Sequence, residues 1–162
     1  MLLRNHGLVG RNKNLLFGYN SRLDTVQAVV ANEMLKKIKF ITKKRINNAI
    51  ILDRDLSKIK HIKTIQRDKF SKEVFHLYEF RVKNVSKRNS LVSFLRKNKI
   101  DAKIHYPVPM HLQPAAKQYG YKKGDFPKAE LIANSTISLP VHEFISKKQI
   151  KYMLEKINFF FK

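Results

Sequence analysis

Two short stretches hold the side chains whose types and spacing could do chemistry. The first is Arg4-Asn5-His6-Gly7 followed by Phe17-Gly18-Tyr19-Asn20-Ser21-Arg22-Leu23-Asp24. There a Gly-containing loop delivers an amide, a hydroxyl, a phenol and a guanidinium to what reads as a helix start. Ser21 has the chemistry of an N-cap, and Asp24 three residues on completes a capping-box pattern with Asp in place of Glu or Gln. A helix start offers unpaired amide protons and the positive end of the helix dipole, so Asn20 and Arg22 beside it form a candidate cradle for a phosphate or carboxylate. By residue type alone, an ordinary capped loop explains the same pattern, and both readings stand.

The second stretch is Ile104-His105-Tyr106-Pro107-Val108-Pro109-Met110-His111-Leu112-Gln113-Pro114. If Ile104 points into a core, period two sends His105 to the opposite face, and Pro107 and Pro109 end the strand in an extended loop. Such a loop presents His105, Tyr106 and His111 with little loss of entropy. Two nearby histidines suggest zinc, but no cysteine accompanies them and neither HExxH nor a helical i, i+4 pair is present, so no metal is expected.

The elements that must position these groups follow from periodicity. Apolar residues from Leu23 through Val26, Val30, Leu35, Ile38 and Ile41 recur at helical spacing, and Ala49, Ile50 and Leu56 prolong one long helix, bent near Phe40. Its outward Lys36, Lys37, Lys39, Lys43, Lys44 and Arg45 read as a solvated face. Residues 56–72 read as irregular, with Ile59, Ile62 and Ile65 able to seed a short strand. Alternation over Val74, His76, Tyr78, Phe80 and Val82 predicts a half-buried strand with His76 packed inside. Ser86 caps a helix ending near Asn98, and Ile100, Ala102 and Ile104 form a second strand, giving a split or right-handed crossover. A short helix at 114–119 stopped by Gly120, a helix opened by Pro127 and a strand at 136–139 follow. Ser146 with Gln149 at the capping-box position starts a terminal helix whose core stripe is Ile150, Met153, Leu154, Ile157 and Phe161. The fold class is α+β, a long helix plus a small sheet flanked by helices.

Bulk properties bound the function. A 162-residue chain with 43% hydrophobic content suits one domain with a real core. Without cysteine there is no disulfide framework, thiolate metal site or cysteine nucleophile, which fits a reducing, cytoplasmic setting. No apolar run approaches the roughly 20 residues of a membrane span, so no membrane partner is expected. The formal charge of +22, from 34 Lys plus Arg against 12 Asp plus Glu, could attract nucleic acid or phosphorylated ligands. Lysine outnumbers arginine, however, and is spread along the chain, with neither zinc-finger spacing nor an RNP-like aromatic signature. Nucleic acid is therefore disfavoured as a partner.

Order and wording add a resemblance. The run RNHGLVGRNKNLLFGYNSRLDTVQAVVAN, then the Ile104 to Pro114 stretch, then Ser138-Leu139-Pro140-Val141 resemble, in the same order, the DegT/DnrJ/EryC1/StrS family of nucleotide-sugar aminotransferases. That family uses pyridoxal 5'-phosphate in an aspartate-aminotransferase-like fold (fold type I). The resemblance implies amino transfer from an amino-acid donor, glutamate in most members, to a nucleotide-linked keto-sugar, in a homodimer. It implies that Asn20 reaches the cofactor phosphate of the other subunit with Arg22 as support, and that Tyr19 and His6 lie near the site. His105 becomes a substrate contact at the diphosphate, with Tyr106 and His111 at the same pocket. The lysine that forms the Schiff base precedes the RNHG-like segment in this family, so no lysine of this chain takes that place and no catalytic residue is assigned. The chain is then expected to be the C-terminal part of the enzyme. Residues 1–22 would be a remnant of the large-domain cofactor loop and 23–162 the small α+β domain with its entry helix. Loss of the N-terminal part predicts apolar exposure over residues 1–20 and along the helix from Leu23. Two alternatives remain open: a basic nucleic-acid or anion-binding module, and a degenerate partner subunit of an aminotransferase.

Overall fold

A computed structural model describes residues 2–5, 8–10, 13–14 and 18–162, the side chains of 8, 10, 13, 14, 114, 115 and 117 excepted. The chain packs as two units, Met1–Lys39 and Phe40–Lys162. The long helix Thr25–Leu56 (α1) runs through both units.

In the first unit, strands Leu8–Gly10 (β1) and Lys13–Asn14 (β2) pair antiparallel. Asn5 and Asn20 form an antiparallel bridge, flanked by amides of Tyr19 and Ser21 that donate to the carbonyls of Leu3 at 2.6 Å and Arg4 at 2.9 Å. This pairing corrects the expected Ser21 cap. The Ser21 amide is committed to Arg4, and α1 starts only at Thr25, where the Asp24 carbonyl accepts from Ala28 at 2.8 Å. Along the first half of α1, Val26, Val29, Val30, Met34, Leu35 and Ile38 are exposed.

In the second unit, α1 first buries a side chain at Ile41 and then at Asn48, Ala49, Leu52 and Leu56, while Ile50 points outward. Strands Ile62–Thr64 (β3), Tyr78–Val82 (β4) and Thr136–Leu139 (β5) make an antiparallel sheet in the order β3-β4-β5. Alternation on β4 places Tyr78, Phe80 and Val82 in the core and leaves Glu79 and Arg81 half-buried. The strand begins later than the sequence pattern suggests. Phe75 adopts φ 54 and is itself buried, which shifts the phase so that Val74 and His76 are exposed, the reverse of the packed role expected for His76.

Helix Lys87–Lys97 (α2) follows β4, and its Leu91, Val92 and Leu95 are buried. Ser86 makes no side-chain cap; its amide and hydroxyl both donate to Asn84 Oδ1, at 3.1 and 2.7 Å. The strand expected over 100–104 is reduced to one bridge, Lys103 with Ser138, at the free edge of β5. Because β4 and Lys103 both lie antiparallel to β5 on its two sides, β4, α2 and this segment still form a split crossover. Every residue of β5 is buried as a result.

Two 3-10 turns, Met110–Leu112 and Pro114–Tyr119, lead to Gly120, whose φ of 74 favours glycine. Helix Pro127–Ser135 (α3) opens on its proline, and helix Lys147–Phe161 (α4) on the expected Ser146–Gln149 capping box. Ile150, Met153 and Ile157 of α4 join the core, and Phe160 packs on Phe94 of α2 with ring centroids 5.4 Å apart. Among the described residues, no helix is long and apolar enough to cross a membrane.

Candidate active site

The sequence-predicted residues fall in two places. In the first unit, Arg22 Nε donates to Asn20 Oδ1 at 3.4 Å, and both side chains are exposed beside the Asn5–Asn20 bridge. The backbone pairing fixes Asn20, while the Arg22 contact takes up its carbonyl oxygen and leaves the amide protons outward. Tyr19 is 74% exposed next to them. His6 lies outside the described residues.

In the second unit, the loop after Lys103 and helix α3 line an open cavity of about 820 Å³. His105, Tyr106 and His111 all line it, together with Met110, Tyr119, Tyr121, Phe126 and Ile132. The sequence brings the three predicted residues here because the prolines at 107 and 109 hold the chain extended until the Met110 turn reverses it. The walls are mostly apolar and aromatic with a few polar groups, the usual chemistry of a small-molecule site. Tyr121 and Phe126 meet edge to face at 5.2 Å, and Phe126 packs on His111 at 4.8 Å.

The two histidines are held differently. His111 is largely buried, and its Nε2 lies 3.1 Å from Glu130 Oε1 on α3. The same carboxylate oxygen accepts from the Gly124 amide at 2.7 Å. The Gly124 hydrogen bond first, and His111 after it, hold the Glu130 carboxyl below the usual glutamate range. His111 therefore ties the loop to α3 as well as lining the cavity. His105 sits on the polar face of the sheet, with Nδ1 2.9 Å from Ser138 Oγ, and Ser138 Oγ in turn lies 3.1 Å from Glu79 Oε1. Its ring meets the Tyr106 ring edge to face at 5.7 Å.

Glu130, Glu79, Tyr119, Tyr121 and Phe126 were not among the sequence candidates. The available signal was composition: in a chain with only 12 acidic residues, Glu79 on the polar phase of a strand and Glu130 near the start of a helix are conspicuous. Behind α3, the buried Arg88 donates to the Ala133 carbonyl at 3.1 Å, and burial pushes its pKa down.

The chain matches the model of the DegT/DnrJ/EryC1/StrS aminotransferase family over residues 1–158. It belongs to that family. It is 32% identical to the pleiotropic regulatory protein of Geobacillus stearothermophilus, the alignment covering 99% of this chain and 43% of that protein. Identity to the dTDP-3-amino-3,6-dideoxy-alpha-D-galactopyranose transaminase of Aneurinibacillus thermoaerophilus is 31%, over 97% of the chain and 42% of the relative. Among solved structures, S. venezuelae DesV in complex with a ketimine intermediate superposes with a TM-score of 0.87 at 28% identity, over 99% of this chain and 43% of that one. This family member thus spans less than half the length of the relatives it matches. The α+β architecture is that of the sugar aminotransferases.

Proposed function

We propose that the chain is the C-terminal part of a pyridoxal-phosphate-dependent aminotransferase that moves an amino group from an amino-acid donor, glutamate in the simplest case, to a nucleotide-linked keto-sugar in the cytoplasm. The observation that carries this reading is the cavity in which His105, Tyr106 and His111, separated by up to a turn of extended loop, share one aromatic wall. Relatives named for dTDP-, UDP- and GDP-linked sugars differ in the nucleotide but share a sugar carried on a nucleotide, which supports that substrate class without choosing the base.

The residues present fit a cofactor phosphate. Asn20 offers outward amide protons and Arg22 a guanidinium whose remaining N–H groups face solvent, a donor-only pair on a fixed backbone bridge. When bound, pyridoxal phosphate supplies the electron sink for amino transfer. The chain's own residues bind and orient. Asn20 fixes the phosphate by geometry, Arg22 offsets its charge, and the homodimer of the complete enzyme carries Asn20 to the neighbouring subunit's site. In the second unit, the open aromatic cavity takes the flat, apolar faces of the substrate, and His105 and Tyr106 offer polar contacts along it.

The test uses the open reading frame extended upstream of residue 1. A lysine in a Gly-rich, Ser/Thr-containing stretch ahead of the Arg4-Asn5-His6-Gly7 segment is expected, and the complete product should transaminate a dTDP- or UDP-linked keto-sugar with glutamate. In that product, Asn20→Ala should weaken cofactor retention roughly tenfold, about 1.4 kcal/mol, with the fold intact. Unchanged retention would remove Asn20 from the site.

A further inference from the structure

The hydrogen-bond chain running from β4 through β5 to His105 has a direction. Glu79, Ser138 and Lys103 are direct cross-strand neighbours, so their side chains share one face of the sheet, and His105, two residues beyond Lys103, returns to it. A carboxylate can only accept, so the 3.1 Å contact between Ser138 Oγ and Glu79 Oε1 uses the serine's single proton. With that proton committed, Ser138 Oγ can meet His105 Nδ1 at 2.9 Å only as an acceptor. In the neutral ring the proton must then sit on Nδ1, which leaves Nε2 a bare lone pair. Ser138 is 3% exposed, so water does not compete for its hydroxyl. Arg45, Asp101 and Lys103, with His76 and His142, line a small cavity of about 180 Å³ that His105 and Ser138 share. Their own contacts run elsewhere: Arg45 bonds Glu143 and the Phe75 carbonyl, and Lys103 pairs with Asp101.

We propose that Glu79 and Ser138 are positioning residues that keep a proton on Nδ1 of the His105 ring, so that Nε2 of the neutral form accepts a hydrogen bond from a ligand hydroxyl or amine and does not meet a phosphate oxygen. This changes the part of the substrate that His105 reads. A lone pair facing a diphosphate is repelled unless the ring takes a second proton, whereas a sugar hydroxyl donates to it directly. His105 is thereby a reader of the sugar. Only the identity of the ligand rests on the nucleotide-sugar reading above; the tautomer does not.

The experiment has two arms on the full chain. In the first, long-range proton-nitrogen NMR of the nitrogen-15-labelled protein at about pH 8 reads the His105 tautomer, with His105→Gln to assign the signal. The unaltered chain should show protonated Nδ1 and bare Nε2. Glu79→Gln supplies an amide that can donate to Ser138 and release the serine proton toward Nδ1, and Ser138→Ala removes the acceptor, so both variants should move His105 toward the Nε2-protonated form. Protonated Nε2 in the unaltered chain, or no change in either variant, overturns the proposal. In the second arm, titration calorimetry compares dTDP-glucose with dTDP. Glu79→Gln should weaken dTDP-glucose roughly five- to tenfold while leaving dTDP unchanged, the loss of one hydrogen bond. Equal weakening of both probes would return His105 to the diphosphate and overturn the donor assignment. If neither probe binds, the sugar-nucleotide reading falls while the first arm alone decides the tautomer.

Discussion

The Tyr78 hydroxyl, on strand β4, donates to Asp53 Oδ1 on helix α1 across 2.7 Å. Tyr78 is fully buried, so this bond satisfies a hydroxyl that water cannot reach, and it registers the helix on the sheet. Asp53 is shared with Arg67, whose Nε and Nη2 donate to it at 3.1 and 3.2 Å while Nη1 reaches both oxygens of Glu73. The guanidinium also lies over the Phe75 ring at 5.0 Å.

Replacing Tyr78 by Phe keeps the ring and removes the donor, so a loss of about 1 kcal/mol is expected. The pH dependence gives a sharper check. Burial first, and then the Asp53 carboxylate, push the Tyr78 pKa well above its ordinary value of 10.0. A raised pKa means that the folded state holds the proton more tightly, so this contribution is complete below about pH 10 and lost as pH rises beyond it. Urea midpoints measured from pH 8 to 11 should fall more steeply for the unaltered chain than for Tyr78→Phe. Parallel curves would show that Tyr78 does not couple folding to its proton.

Arg67 holds the segment between β3 and β4 by a two-nitrogen fork to Asp53 on one side and by Nη1 shared between both Glu73 oxygens on the other. Burial works against its charge, and the Asp53 and Glu73 carboxylates more than offset this, leaving its pKa raised. Lysine cannot fork onto Asp53 while reaching Glu73, nor lie flat on Phe75. Arg67→Lys is expected to cost about 1 kcal/mol after allowance for solvent screening, and to speed amide exchange over residues 66–75 more than elsewhere. Uniform exchange across the second unit would contradict that local role.

The terminal helix depends on the N-cap residue that precedes it, Ser146. Ser146 Oγ accepts from the Gln149 amide at 3.2 Å, and Gln149 Oε1 accepts from the Ser146 amide at 2.9 Å. Ser146→Ala removes half of this reciprocal pair and should lower stability by about 1 kcal/mol. Thermal unfolding followed by circular dichroism reads it directly, and Ser146→Asp should restore most of the loss.

That capping box was legible because every partner lies within three residues, and the same holds for Pro127 at the start of α3 and Gly120 beyond the 3-10 turn. Where the deciding partner is distant, pattern reading fails in a definite way. Ser21 and Ser86 both have cap chemistry, but the first spends its amide on Arg4 and the second turns to Asn84. Period two places His76 inside, and the positive φ of Phe75, which no alternation encodes in a residue other than glycine, turns it out. Ile100, Ala102 and Ile104 do alternate as a strand should, yet the short β5 offers a single bridge at Lys103. At the site, the loop order fixed His105, Tyr106 and His111 as a group, whereas the partners that orient them are 33 and 19 residues away, at Ser138 and Glu130.

The His111–Glu130 pair yields a prediction at acid pH. Because the Gly124 amide and then His111 depress the Glu130 pKa, the folded state favours the carboxylate, and its contribution is present above the ordinary value of 4.5 and lost as pH falls through the depressed one. Glu130→Gln keeps the shape and an acceptor for Gly124 but has no charge to lose. The unaltered chain should therefore be the more stable of the two near neutral pH, and the gap between their urea midpoints should close as pH drops below about 4.5. Since His111 ties the cavity loop to α3, the same variant should also broaden the His111 ring signals at neutral pH. A gap that stays constant from pH 6 to 3 would mean that the charge of the Glu130 carboxylate gains nothing from its partners in the folded chain.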